Sequence, residues 1–355
     1  MSNLTDSEKK KLYSLFNQIK PTDRVEGLNR TLNSDVLIVD FMNTFLRAFM
    51  ASPSLNANGN HTGGIAGCLK SIGYAVKLLN PTRIIVVSDG NGGSMKRRKI
   101  YPQYKSGRKT KVRLNRTYED LSNPDSEEKN LKIQLIKTVK YLDTLPVTTM
   151  AIDHIEADDT IAYLATQYFK NSNVTIMSAD KDFLQLANDR VKIWSPTKKK
   201  LYGCAEILIE YGISCSNFLN YRIMEGDDSD NIDGINGAGL KTIIKCFPIF
   251  TDANQYSLQE IYNYSDTHKG KYKLYNTILD NKNTMERNWQ LMQLHDTQIQ
   301  TFSQLRINEI LEKPLTKLDR YNFSKLLLED NMQNNFPNSM IWLQEVFGKV
   351  NSFVA

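Results

Sequence analysis

Nine carboxylates fall in short clusters along this chain: Asp40, Asp89, the set Glu156, Asp158 and Asp159, the pair Asp180 and Asp182, and the pair Asp227 and Asp230. Several stand behind apolar, β-branched runs. Val36 to Val39 precedes Asp40, Ile84 to Val87 precedes Asp89, and Val174 to Met177 leads to Asp180, the pattern of buried parallel strands. In an open α/β sheet the carboxyl ends of such strands meet at one crevice, where ligands bind. Acids far apart in sequence are thereby brought together, and like charges so gathered force one another's pKa upward. Divalent cations relieve that repulsion, and oxygen-only ligands suit magnesium or manganese. Any one of these aspartates taken alone reads more simply as a helix N-cap or turn residue; the set is what points to metal.

The positive charge is placed just as unevenly. Between Lys96 and Arg116 stand Lys96, Arg97, Arg98, Lys99, Lys105, Arg108, Lys109, Lys111, Arg113 and Arg116, with no acid among them. Such a block repels itself unless an anion neutralises it, and the phosphodiester backbone is the commonest such anion. Tyr101 and Tyr104 lie inside the block, placed to stack on unpaired bases. The block begins a few residues after Asp89, at the rim of the expected crevice.

The elements that must position these residues alternate. Strands are expected at Val36 to Val39, Ile84 to Val87, Val147 to Ile152, Val174 to Met177 and Val191 to Trp194. Helices are expected between them at Gly64 to Leu79, Asn130 to Leu142, Ala157 to Phe169 and Phe183 to Ala187, with a first helix at Glu8 to Ile19. Such alternation predicts a mostly parallel, helix-flanked sheet. From Ala205 onward the periodicity is helical, with glycine-rich turns. The expected division is an N-terminal extension over 1–33, an α/β core over 34–203 with a basic arch near 95–130, and a helical lobe over 204–355.

With 355 residues, 24% charged and 41% hydrophobic, the composition is that of an ordinary globular protein. No apolar run reaches the roughly 20 residues of a membrane span, and the polar start, Ser2 to Lys10, does not read as a signal peptide. A cytosolic protein without membrane association is the expectation. The four cysteines, Cys68, Cys204, Cys215 and Cys246, form no C-x-x-C pair, so reduced structural thiols are expected.

The stretch from Glu225 to Thr242 imitates two other sites. A calcium loop beginning at Asp228 would need an oxygen ligand where Ile232 stands and a glutamate where Gly239 stands. A Walker A loop is spoiled by Leu240, between the glycine and Lys241. What remains is the turn Gly237-Ala238-Gly239 opening a helix at Leu240-Lys241-Thr242. Backbone amides at such a start can hold a phosphate without reading its base.

Taken in order, Ile38-Val39-Asp40-Phe41, Asp89 with Arg97 and Tyr104-Lys105-Ser106-Gly107-Arg108, Glu156-Ala157-Asp158-Asp159, Ser178-Ala179-Asp180-Lys181-Asp182-Phe183 and Gly226-Asp227-Asp228-Ser229-Asp230-Asn231-Ile232 resemble the motifs of the 5′-nuclease, or flap endonuclease, superfamily. Gly234 to Gly239 resembles that family's helix-three-turn-helix, near 225–247. Trp194-Ser195-Pro196 followed by Lys198 to Lys200 is most like the phage ribonuclease H branch. The resemblance spans about Val36 to Phe247; the N-terminal extension and the region beyond Asp252 match no motif.

The resemblance implies a metal-dependent 5′-nuclease that removes RNA primers and 5′ flaps in phage DNA replication. Asp89, Glu156, Asp158 and Asp180 would surround the first of two magnesium or manganese ions, with Asp40 and Asp159 in the same pocket, and Asp182, Asp227 and Asp230 would serve the second. Arg97 and Lys105 would be catalytic, near the scissile phosphate. Lys96, Arg98, Tyr104, Arg108, Gly237, Gly239, Lys241 and Thr242 would contact DNA, with a potassium ion at the glycine turn in some relatives. Expected partners are branched or nicked DNA and RNA/DNA with a single-stranded 5′ end, and a single-strand-binding protein or sliding clamp; the chain would act as a monomer. Two other classes fit parts of the pattern: a PIN-type metal-dependent RNase, and a catalytically silent DNA-binding relative.

Overall fold

The computed structural model describes residues 30–107 and 124–354. The first helix expected at Glu8 to Ile19, Arg108, and the middle of the basic segment lie outside the described residues.

Six strands form one sheet in the order β3-β2-β1-β4-β5-β6: β1 (Asp35–Asp40), β2 (Arg83–Asp89), β3 (Thr148–Ile152), β4 (Asn173–Met177), β5 (Val191–Ser195) and β6 (Lys200–Tyr202). β1 to β5 are parallel, and β6 pairs antiparallel with β5. The five expected strands are all present. β6 was not anticipated, because its first residue belongs to a lysine run that reads as a loop. The order runs outward from β1 to β3 on one side and resumes at β4 on the other, so the switch point lies between β1 and β4, where the register sets Val39 opposite Met177. Crevices open at such points, and Asp40 and Asp180 flank this one.

Successive strand residues face opposite sides, and the two faces bury different partners. Val36, Ile38, Ile85, Val87, Val174 and Ile176 share a core with residues drawn from 157–165 and 207–311. Leu37, Val39, Ile84 and Val86 share the other with helices α1 (Phe41–Ala51), α2 (Gly63–Leu79) and α4 (Pro124–Leu142) and with residues from 323–350. α2 stops as its Asn80-Pro81 ending requires: Asn80 is left-handed at φ 48°, and proline cannot continue the helix. α4 starts six residues before the expected Asn130.

The helical region therefore divides. α12 (Thr301–Glu312) lies beside β3, whereas α14 (Ser339–Asn351) returns to α2, where Gly73 makes room for Trp342; a Cβ there would stand 2.8 Å from the indole. Cys204 and Cys215 form a disulfide with Cα atoms 5.3 Å apart, which corrects the expectation of four free thiols. Gly212, left-handed at φ 64°, ends helix α6 (Cys204–Tyr211) and turns the chain back to make that pairing. Among the described residues no helix is long and apolar enough to cross a membrane.

Candidate active site

Each strand of the switch region delivers a carboxylate to the crevice. Asp40 ends β1 and caps α1, its Oδ1 accepting from the Asn43 amide at 3.2 Å and its Oδ2 from the Ser178 hydroxyl at 2.8 Å. The simple N-cap reading is thus correct for Asp40, yet capping does not remove it from the acid cluster. Burial, reinforced by Asp89, pushes its carboxyl up to about 6. Asp89 ends β2, and its Oδ1 accepts from the Ala157 amide at 2.8 Å, fixing the start of α5 (Ala157–Tyr163), which carries Asp158 and Asp159. Asp180, three residues past β4, is pushed up to about 7 by burial and then by Asp182, Asp40 and Asp227. Asp158 is driven well above the usual carboxylate range by burial, then by Asp180, with Asp40 and Glu156 adding to it. Asp40, Asp158 and Asp180 therefore form one mutually repelling group, as the sequence pattern implied.

Glu156 behaves in the opposite way. Burial alone would raise it, but Arg97 and Lys105 hold it below the usual value. Lys105 Nζ is 2.5 Å from Glu156 Oε1, Arg97 Nη1 bonds Oε2, and the Tyr104 hydroxyl donates to both oxygens at 3.3 Å. Burial would lower the Lys105 ammonium, but Asp158, Glu156 and Asp230 keep it above the ordinary lysine value. It remains a cation inside the crevice.

Two residues expected to meet nucleic acid are buried instead. Arg97, placed by sequence beside a scissile phosphate, is 6% exposed, and its donors go to Glu156, to both oxygens of Asp159 at 2.6 and 2.9 Å, and to the Leu291 carbonyl at 2.7 Å. A buried guanidinium so engaged is an internal counterion, and the fork on Asp159 takes both of that carboxylate's oxygens. Tyr104, expected to stack on a base, is 2% exposed, its ring within the core. Lys96 donates to the Thr297 carbonyl at 3.1 Å, while Arg98 is exposed.

The second acid group is built around a residue that no motif marked. Arg222, buried in helix α7 (Phe218–Glu225), gives Nε to Asp182 Oδ1 at 2.7 Å, Nη2 to Asp227 Oδ2 at 2.7 Å and Nη1 to Glu225 Oε2 at 2.5 Å. Burial still raises Asp182 despite Arg222. Asp227, which burial would also raise, ends below the ordinary value because the Ser229 hydroxyl and Arg222 favour its charge. The signal available in sequence was a lone arginine in the apolar stretch Phe218 to Met224; a buried charge demands partners.

Beyond this loop Gly237, Gly239, Lys241 and Thr242 are all exposed. Gly237 is left-handed at φ 84°, and a Cβ on either glycine would meet nothing within 4 Å, so a flat object can approach the backbone of the turn closely. Helix α8 (Leu240–Cys246) follows directly.

Residues 35–212 match the model of the 5′-3′ exonuclease N-terminal resolvase-like domain. The chain belongs to the 5′-3′ exonuclease family. It is 30% identical over 236 residues to a 5′-3′ exonuclease of Buchnera aphidicola, covering 66% of this chain and 75% of that one. It is 31% identical to the flap endonuclease Xni of Shewanella oneidensis, covering 60% and 74%. The bacteriophage T5 D15 protein, co-crystallised with metal ions, shares the fold with a TM-score of 0.62 at 21% identity, over 78% of this chain and 98% of that one. As a 5′-3′ exonuclease family member the protein is a nuclease, a phosphodiester hydrolase.

Among the described residues no three Asp, Glu, His or Cys side chains close on one point as a complete ligand set would. Magnesium does not need one, since it keeps several waters and takes only one or two carboxylates. The mutually repelling, oxygen-only group of this family member therefore fits a hydrated divalent ion. Lys105 and Arg97 supply the positive charge on its Glu156 side.

Proposed function

We propose that this chain is a divalent-metal-dependent, structure-specific 5′-nuclease acting on DNA and RNA/DNA with a single-stranded 5′ end, and that it removes RNA primers and 5′ flaps in phage DNA replication. The observation that carries this reading is that Asp40, Asp158 and Asp180 are buried together at one crevice, where burial first and neighbouring carboxylates second push all three upward, beside a charged Lys105. Unrelieved repulsion at a strand-end crevice is what a cation-dependent phosphoryl site requires and a silent scaffold does not.

Asp40, Asp89, Asp158, Asp180 and Glu156 would hold the first magnesium or manganese ion, and Asp182, Asp227 and Asp230 the second. Ions bound there would supply Lewis-acid polarisation of the phosphate and activation of water. The chain's own contributions are separable. Ser178 orients both Asp40 and the Asp180 backbone, accepting from the Asp180 amide at 3.0 Å. Lys105 provides positive charge for the phosphate as charge develops on it. Arg97 positions Glu156 and Asp159 rather than touching substrate. Lys241, Thr242 and the glycine turn would grip duplex phosphates irrespective of base, with potassium held at the turn as in some relatives. The core over 34–203, joined by Asp227 and Asp230, would carry the chemistry, and the rest of the lobe over 204–355 the duplex contacts.

The experiment is magnesium-dependent cleavage of a 5′-labelled duplex bearing a single-stranded 5′ flap, beside an all-RNA hairpin and the Asp180→Asn protein. Release near the junction, absent in the variant and in chelator, is expected. Cutting of the hairpin alone would move the protein to an RNase reading, and tight flap binding without cutting to a silent relative.

A further inference from the structure

The foot of the basic segment, residues 101–107, is fastened to the acidic loop 227–233 by contacts that surround Lys105. The Lys105 amide donates to the Asp230 carbonyl at 2.8 Å. The Asn231 side-chain amide donates to the Gln103 carbonyl at 2.9 Å and approaches the Ser106 hydroxyl at 3.1 Å, so one nitrogen spans the chain on either side of the lysine. Lys105 itself is left-handed at φ 56°, a conformation in which a lysine persists only when its surroundings hold it. That turn directs its ammonium back to Glu156. Asn231 is also left-handed, at φ 58°, which asparagine tolerates better than other side-chain-bearing residues.

We propose that Asn231 is a positioning residue for Lys105: it touches neither substrate nor metal, and it sets the catalytic cation by clamping the residues that flank it to the loop that carries Asp227 and Asp230. The clamp makes the foot of the basic segment and the second acid group one mechanical unit. It lies outside the core, since Gln103 and Ser106 are exposed and Asn231 is half-buried, so its loss loosens Lys105 without emptying any packed site. The inference rests on the reading of Lys105 as catalytic.

The test is a kinetic cycle on the full chain with magnesium and flap DNA under single-turnover conditions, comparing wild type, Asn231→Gly, Lys105→Ala, the double variant and Ser106→Ala. Glycine keeps the left-handed backbone while deleting the amide. Asn231→Gly is expected to slow cleavage about tenfold with half-saturating DNA changed by less than about twofold, the signature of lost orientation. In the Lys105→Ala background the same change is expected to slow cleavage by less than about twofold, because coupled residues are non-additive. An undiminished rate in Asn231→Gly, or an equal slowing in both backgrounds, overturns the inference. Lys105→Ala at the wild-type rate overturns the reading beneath it, and is recognised without any Asn231 variant. Should Asn231→Gly fail to fold, Ser106→Ala, which removes an exposed partner of the clamp, carries the same cycle and the same criteria.

Discussion

Arg222 Nε lies 2.7 Å from Asp182 Oδ1, and its Nη2 lies 2.7 Å from Asp227 Oδ2, so a single buried guanidinium ties the connection after β4 to the loop that follows α7. The acids of the second group are held apart in the chain and together in space by that side chain. Removing one member of a buried ion pair leaves the others uncompensated and costs about 3–5 kcal/mol. Arg222→Met is expected to lose about 3 kcal/mol, read as a lower urea midpoint in chelator. Arg222→Lys is expected to recover only part, since a single ammonium nitrogen cannot reach the three carboxylates that the guanidinium meets from Nε, Nη1 and Nη2.

Asp180 carries the opposite energetic sign. Its folded carboxyl stands at about 7 against an ordinary 3.8, so between those values the folded state holds a proton that the unfolded state has released. The stabilisation this proton gives is fully present below about pH 4 and is lost as pH rises through about 7. Asp180→Asn is therefore expected to abolish cleavage while making the metal-free protein more stable at pH 8, on the order of 1–2 kcal/mol once water access and coupling to Asp158 are allowed for. The two melting curves should converge near pH 4. A variant melting lower than wild type at pH 8 would show that Asp180 is not under the repulsion described.

Acid positions were legible in sequence because strand ends are: Val36 to Val39 and Val174 to Met177, short and β-branched, read as buried strands, and parallel strands deliver their carboxyl ends to one side. Counterions were not legible, because they come from elements whose contacts no local pattern encodes. Arg97 sat in a basic run and read as a phosphate contact; burial by α11 (Lys282–Met292), whose Leu291 carbonyl receives its Nε, turned it into an internal partner of Glu156 and Asp159. Arg222 had no motif at all. The same limit hid the Cys204–Cys215 pairing, which depends on the turn at Gly212, and the return of α14 to Gly73, which depends on packing far from either residue's neighbours.

Tyr104 separates a buried role from a DNA-facing one. Its ring is in the core and its hydroxyl donates to both oxygens of Glu156. Tyr104→Phe keeps the ring and deletes the bond, so a loss of about 1 kcal/mol in unfolding free energy is expected, with flap affinity unchanged. A residue that stacked on a base would give the reverse with alanine: unchanged stability and weaker binding. Fluorescence-anisotropy binding of flap DNA in calcium, beside urea unfolding, distinguishes the two.

Lys241 tests whether the exposed glycine turn meets phosphate. It follows Gly239 and Leu240 at the start of α8 and is open to solvent, and a lysine that neutralises one phosphate releases about one counterion's worth of salt dependence. Lys241→Ala is expected to weaken duplex binding at low salt, to reduce the slope of log affinity against log salt by roughly 1, and to leave the cut position unchanged. A wild-type slope would remove Lys241 from the phosphate contacts, whereas a shifted cut would mean that the turn registers the duplex against Asp180 rather than merely holding it.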